Sequence, residues 1–344
     1  MTRALVTGGS GYFGCAVVNE LRKRGYQVAV FDLVDVDDRP KDVEFFQGDI
    51  RDRAAISRAC EGVSVVHHNV AQVPIAKDKA LFHSVNVDGT LNLLEALRAH
   101  RVPKAVLVSS SAVFGVPAKN PVDHTVQPAP REEYGAAKLE AEHLAHRYVR
   151  DHGLDISIIR PRTILGHGRL GIFQILFEWV RRGKNVYVMG RGDNQYQFVH
   201  ADDLCDACIR AGERPGPATF NIGTDRFGTM RQLLEALVRH AGTGSKVRSL
   251  PMGLTIKAME ITSQLGLSPL GGYHSLMYGR EMYFDLKPAQ DALGYKPKFS
   301  NEEMICESYD YYVANREEIL SRKGASHHRS PMKQGILKVL EHLP

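Results

Sequence analysis

Tyr134 and Lys138 stand four residues apart in EEYGAAKLEAE, residues 132–142. That spacing puts both side chains on one face of a helix. A phenol beside an ammonium can be the acid/base centre of a redox enzyme. It can equally be an ordinary surface pair, and the pattern alone fits both. A second constellation is TGGSGYFG, residues 7–14, with Gly8, Gly11 and Gly14 three apart. Between a strand and a helix this makes a phosphate cradle. The first glycine permits a tight turn, the second lets a pyrophosphate approach the backbone, and the third lets helix and strand pack closely. The first amides of the helix then face the phosphates, with Tyr12 and Phe13 placed to touch the cofactor.

Asp32 ends the second strand, eighteen residues past Gly14. A carboxylate there accepts hydrogen bonds from both adenosine ribose hydroxyls and repels a 2′-phosphate. The residues that follow, LVDVDD, supply no arginine or lysine. The expected cofactor is therefore NAD, not NADP. Asp49 and Ile50, at the end of the third strand, suit the adenine edge or form a plain strand-end turn.

These groups need a scaffold. ALVTGG (4–9), QVAVFD (27–32), VEFFQGD (43–49), VSVVHHN (63–69), KAVLVSS (104–110) and DISIIRP (155–161) are near-continuous apolar runs. Helical stretches such as NVDGTLNLLEALRAH (86–100) and YGAAKLEAEHLAHRYVRDHG (134–153) alternate with them. Strands buried on both faces and alternating with helices predict an α/β fold, a Rossmann-type doubly wound parallel sheet. Residues 1–165 are expected to form the NAD-binding domain, with about 198–223 returning to it. Residues 166–197 and 224–320 are expected to build a smaller C-terminal substrate-binding lobe, irregular after its helix MRQLLEALVRHAG. The tail, 321–344, has Ile336, Leu337, Val339, Leu340 and Leu343 at helical spacing. It reads as a segment packed on the body or on a partner subunit, or as an amphipathic helix at a membrane surface.

The bulk numbers predict a soluble globular protein, long enough for one large domain or two unequal ones. The chain has 344 residues, 43% hydrophobic and 24% charged, with a net charge of +5. No long basic run invites nucleic acid, and no apolar run is long enough to span a membrane. The N-terminus has no charged-then-apolar leader. Five scattered cysteines predict reduced thiols and a cytoplasmic home. Cys205 and Cys208 form a C-x-x-C, but without a second ligand pair they read as packed thiols, and no metal is expected.

TGGSGYFG, SSSAVFG (109–115) and YGAAK (134–138) together resemble the extended short-chain dehydrogenase/reductase superfamily. That group holds the nucleotide-sugar epimerases and dehydratases and the 3β-hydroxysteroid dehydrogenases. The resemblance covers about residues 1–300. It implies that Tyr134 removes a substrate hydroxyl proton while hydride passes to NAD, or the reverse. Lys138 would favour the phenolate and hold the nicotinamide ribose, and Ser110 would hydrogen-bond the reacting oxygen. Ser109 and Ser111 flank it, so that assignment can slip by one. Backbone groups around Ala71, and Asn86, would touch the cofactor, although Asn86 also suits a helix cap. A homodimer through helices containing residues 86–100 and 134–150 is implied as well.

The substrate is less fixed. Related 4,6-dehydratases carry Asp-Glu after the catalytic Ser/Thr, where this chain has Ser111 and Ala112, so that elimination is not expected. Thr163 stands where sugar-nucleotide enzymes often have Asn, and Tyr196 where they often have Arg. GRGDNQYQFVHADDL (190–204) is closer to the 3β-hydroxysteroid dehydrogenase pattern, and the apolar segment 250–272 could line a pocket. Yet Arg162, Arg169 and Arg191 are candidates for an anionic substrate. The expected substrate contacts are therefore Ser111, Arg162, Thr163, Arg169, Arg191 and Tyr196. The favoured reading is a nucleotide-sugar epimerase. A dehydrogenase of a sterol-like or other apolar alcohol comes second, and a redox-silent NAD-binding scaffold third.

Overall fold

The structure is a computed structural model, and it describes residues 2–73, 80–169, 172–264 and 277–321. Six strands, β1 (Arg3–Thr7), β2 (Gln27–Asp32), β3 (Glu44–Gln47), β4 (Val65–His68), β5 (Lys104–Val108) and β6 (Ile156–Pro161), join the strand Ala218–Ile222 in one sheet. Reading across, the order is Ala218–Ile222, β6, β5, β4, β1, β2, β3, and every neighbouring pair is parallel. This is the doubly wound sheet expected from the buried apolar runs.

Alternation along each strand feeds two cores. Val6, Val30, Val106 and Ile159 face helix α1 (Tyr12–Lys23) and the helix Ala201–Glu213. Leu5, Ala29, Val66, Leu107 and Ile158 face the helices Arg53–Ala59, Gly89–Ala99 and Glu133–His152. Each fully buried aliphatic side chain contributes about 1.5–3 kcal/mol. Cys205 and Cys208 belong to the first core, and burial pushes both thiols up in pKa. None of the five cysteines is in a disulfide, and Cys60, Cys205 and Cys208 are buried.

The strand order reverses between β1 and its two neighbours, β2 and β4. A crevice opens at the carboxyl ends of strands at such a switch point. Thr7, Asp32, His68 and Val108 end the strands that border it.

A smaller lobe packs the helices Ile172–Arg181, Met230–Ala241 and Asn301–Ala314 around Phe177, Val188, Leu234 and Tyr312. Strands Val186–Met189 and Val247–Leu250 pair in parallel on it. The stretch after residue 250 is more regular than expected. Met252–Gln264 and Lys287–Leu293 are helices, as is Asn301–Ala314, which a Ser300–Glu303 capping box starts. Pro288 sits in the first turn of its helix, where its missing N–H costs nothing. Leu254 and Ile261 of the first of these helices are exposed. The rest of the apolar segment, and the tail from 322, lie outside the described residues. Among the described residues, no helix is long and apolar enough to cross a membrane.

Candidate active site

A cleft of about 520 Å³ follows the carboxyl ends of the strands from Asp32 to Tyr134. Its floor is the glycine turn. Gly8 has φ +72°, and a Cβ there would sit 2.9 Å from Val70 N. A Cβ on Gly14 would lie 2.0 Å from the Gly8 carbonyl oxygen. Only hydrogen fits at either position. Gly11 is the N-cap of α1 and offers no side-chain cap, so the first helical amides are left for a ligand. Tyr12, Phe13 and Ala71 line the same cleft.

Asp32 accepts a hydrogen bond from Ser10 N at 3.0 Å and one from Leu33 N at 2.7 Å. Burial raises its pKa, partly offset by those amides. A carboxylate so oriented at the end of β2 fits a ribose diol. Asp49 also lines the cleft, but its carboxylate is tied to Arg51 at 2.5 Å, which lowers its pKa. Ile50 lies beside it. Arg51 is a cleft residue that sequence reading missed. Its only signal was a charge two positions after Asp49.

Asn86 does not line the cleft. It is buried, its Oδ1 accepts from Gln72 N at 2.8 Å, and its Nδ2 donates to Gln72 O at 3.1 Å. Its side chain pins Gln72, in the loop that lines the cleft, and the N-cap of the helix that follows is Asp88. Behind it runs a chain of buried hydrogen bonds. Thr90 Oγ1 donates to Asn86 O at 2.7 Å, His68 Nε2 faces Thr90 Oγ1 at 3.3 Å, and His68 Nδ1 pairs with Thr7 Oγ1 at 2.7 Å. Burial, and then the Lys138 charge, hold His68 down to about 3. It is neutral at physiological pH.

At the other end of the cleft, the helix Glu133–His152 presents Tyr134 and Lys138. Glu132 caps this helix by accepting from Tyr134 N and Gly135 N, at 2.8 and 2.6 Å. Tyr134 is 9% exposed, with Phe82 edge-on at 6.2 Å. Lys138 Nζ donates to Val108 O at 2.7 Å. Burial pulls its pKa down to about 8, against an opposing pull from Glu142. It remains a cation at neutral pH, one turn from the phenol, and an ammonium there favours phenolate.

The three serines after β5 have three different fates. Ser109 Oγ donates to Glu142 Oε1 at 2.5 Å, and Glu142 is clasped by Arg160 at 2.5 Å. Ser110 borders the cleft and accepts Ala112 N at 3.1 Å, leaving its own proton to donate. Ser111 Oγ accepts from Arg162 Nη1 at 2.9 Å.

Of the expected substrate contacts, Ser111, Arg162, Thr163 and Arg169 line the cleft. Arg169 lies over the Tyr12 ring at 5.5 Å, and burial lowers its pKa to about 10. Tyr196 and Arg191 do not line it. Tyr196 is buried behind it, bonded through its hydroxyl to Thr163 Oγ1 at 3.0 Å. Arg191 is on the surface, 88% exposed and paired with Asp193.

One trio of potential metal ligands occurs among the described residues, His167, His200 and Glu307, all within 4.8 Å. His200 Nδ1 accepts the Asp202 amide at 3.1 Å, a bond that uses its lone pair and puts a ring proton on Nε2, facing Glu307 at 3.3 Å. That tautomer presents an N–H where a metal needs a lone pair. The trio is better described as a polar cluster.

Residues 4–223, more than half of the chain, match the model of the NAD dependent epimerase/dehydratase family. The chain belongs to that family. It is an NAD-dependent enzyme of the extended short-chain dehydrogenase/reductase type. It is 51% identical to the uncharacterized protein y4nG of Sinorhizobium fredii, over 98% of this chain and 85% of the relative. It is 27% identical to a mouse sterol-4-alpha-carboxylate 3-dehydrogenase, decarboxylating, over 88% of this chain and 89% of the relative. Among solved structures, the UDP-glucose 4-epimerase of Thermotoga maritima with UDP-glucose superposes with a TM-score of 0.76 at 27% identity. That match covers 92% of this chain and all of the other. The glycine cradle, the free amides of α1 and Asp32 fit the NAD that this family uses.

Proposed function

We propose that the enzyme is a nucleotide-sugar epimerase in which Tyr134 exchanges a proton with a secondary alcohol of the substrate. Bound NAD supplies a hydride acceptor and donor. The observation that carries the reading is the Lys138 ammonium, buried and anchored on Val108 O, one turn from Tyr134 in the wall of the cleft. A free phenol has a pKa near ~10, too high for a base at neutral pH. Lys138 lowers the cost of the phenolate, and Ser110 donates to the oxygen whose proton Tyr134 takes. In an epimerase the ketone turns over in the pocket, so the same three groups serve both half-reactions. The likeness to a UDP-glucose 4-epimerase over the whole of that chain supports the sugar-nucleotide assignment.

A second reading has its own support. Ile164, Ile172 and Phe173 line the lobe side of the cleft, and a sterol dehydrogenase is among the relatives. An apolar secondary alcohol would suit that wall.

Purified protein incubated with NAD and UDP-, dTDP- and GDP-sugars, and separately with a 3β-hydroxysteroid, distinguishes the two. A new sugar isomer without NADH build-up is the expected result. NADH build-up with the steroid alone would establish the second reading. Silence from every substrate would contradict both. The enzyme is also expected to be a homodimer through the helices Gly89–Ala99 and Glu133–His152, and a monomer by sedimentation at micromolar concentration would contradict that.

A further inference from the structure

The two ends of the cleft differ in charge. Among the described residues, its lining contains two acids, Asp32 and Asp49, both at the adenosine end. The catalytic end is lined by Lys138, Arg162 and Arg169, and among the described residues no acid lines it. Arg162 is the extreme case. It is 1% exposed, and its Nε and Nη2 are buried without a hydrogen-bond partner. Its guanidinium is held over the Tyr196 ring at 4.7 Å and near Phe284 at 6.0 Å. Its Nη1 reaches Ser111 Oγ at 2.9 Å and Met282 Sδ at 3.3 Å. Among the described residues it has no carboxylate partner. Burying a cation without a counter-ion is unfavourable, and such a group is retained where something else supplies the charge.

The Nε and Nη2 atoms are sealed from solvent, so the cation acts through Ser111. By occupying a lone pair of Ser111 Oγ, Arg162 turns the Ser111 hydroxyl into a donor with a positive charge behind it. Ser111 is the immediate neighbour of Ser110, which faces the reacting oxygen. An anionic group received by Ser111 therefore sits close to the carbon that reacts, away from any diphosphate. We propose that the substrate carries a carboxylate close to its reacting carbinol, received by the Ser111 hydroxyl, with Arg162 as the positioning residue that orients and polarises it. Arg169, whose Nε is also buried and unpartnered, adds to the positive field at the same end.

This inference rests on the proposed nucleotide-sugar reading and is tested by a matched pair of probes. UDP-glucuronic acid and UDP-glucose share their nucleotide and diphosphate and differ in the carboxylate. The wild-type enzyme, loaded with NAD, is expected to prefer UDP-glucuronic acid in kcat/KM by at least about tenfold. The ratio is expected to collapse toward one in Ser111→Ala and Arg162→Met, mainly through KM for the acid, and to recover partly in Arg162→Lys. A folding defect would lower both activities and leave the ratio in place. Equal turnover of both sugars by the wild type would overturn the carboxylate assignment and leave the epimerase reading standing. A preference that survives Ser111→Ala would overturn it too, because the carboxylate would then be read elsewhere. Turnover of neither sugar by NAD-loaded enzyme would overturn both.

Discussion

The hydroxyl of Ser109 donates to the Glu142 carboxylate at 2.5 Å, beneath the cleft wall. Glu142 also receives Arg160 and lies one helical turn beyond Lys138. Ser109 is thus committed to a buried ion pair, while Ser110 and Ser111 each accept a hydrogen bond and keep a proton to give, and Ser110 is the one proposed to face the reacting oxygen. Ser110→Ala is expected to lower kcat by roughly 10²–10³-fold with little change in KM, as loss of one positioned donor does elsewhere. Ser109→Ala is expected to cost stability, about 1–3 kcal/mol from the buried carboxylate it leaves short of a donor. Steady-state kinetics beside denaturant melts separate the two, and the reverse pattern would reassign the serines.

Lys138 sets a pH dependence. Burial lowers its pKa in the folded protein to about 8, from an ordinary value of 10.5. Between those values the unfolded chain binds the proton that the folded chain has released. This group's contribution to stability therefore rises with pH from about 8 to 10.5, while the cation that supports Tyr134 is lost. Activity is expected to fall as pH rises through about 8. Lys138→Met is expected to flatten that part of the stability profile. Melts of both proteins from pH 7.5 to 10 check this, and parallel profiles would contradict it.

Glu142 raises the Lys138 pKa against burial. Glu142→Gln removes that support, so the alkaline limb of kcat/KM is expected to move to lower pH. It also leaves the half-buried Arg160 without its carboxylate, which is expected to cost stability. An unmoved alkaline limb in a folded variant would show that another group titrates.

Asp32, held by the amides of Ser10 and Leu33, is proposed to bind the adenosine ribose. Asp32→Ala is expected to weaken NAD binding by at least about tenfold, the scale of losing a charge-assisted pair of hydrogen bonds. It is expected to weaken NADP binding far less. Titration of both cofactors by intrinsic fluorescence checks this, and equal losses would move the discriminating residue elsewhere.

Much of this arrangement is legible in the chain itself. Strands β1, β2, β4, β5 and β6 announce themselves because both faces are buried, which leaves an apolar run with few polar interruptions, whereas the edge strand β3 is only half-buried. The glycine turn is legible because each glycine answers a separate steric demand, most sharply Gly14 against the Gly8 carbonyl. What does not show is which of several like residues is left available at the cleft. Ser109, Ser110 and Ser111 are identical in type, and partners far along the chain, Glu142 and Arg162, sort them. Arg169 and Arg191 look equivalent until the lobe folds and leaves Arg191 on the surface beside Asp193. Asn86 carries a side chain suited to a ligand, but the Gln72 backbone takes both of its amide groups. Tyr196 likewise ends as support under Arg162.

The central claim is that Tyr134 is the acid/base group of a bound-NAD reaction. Tyr134→Phe removes the phenol hydroxyl and keeps the ring that packs on Phe82. The most direct measurement is turnover of the sugar nucleotide accepted by the wild type, with NAD binding measured on the same samples. NAD binding within about twofold of wild type, with turnover lowered by roughly 10²–10⁴-fold, is the predicted result. Unchanged turnover in a variant that still binds NAD would contradict it.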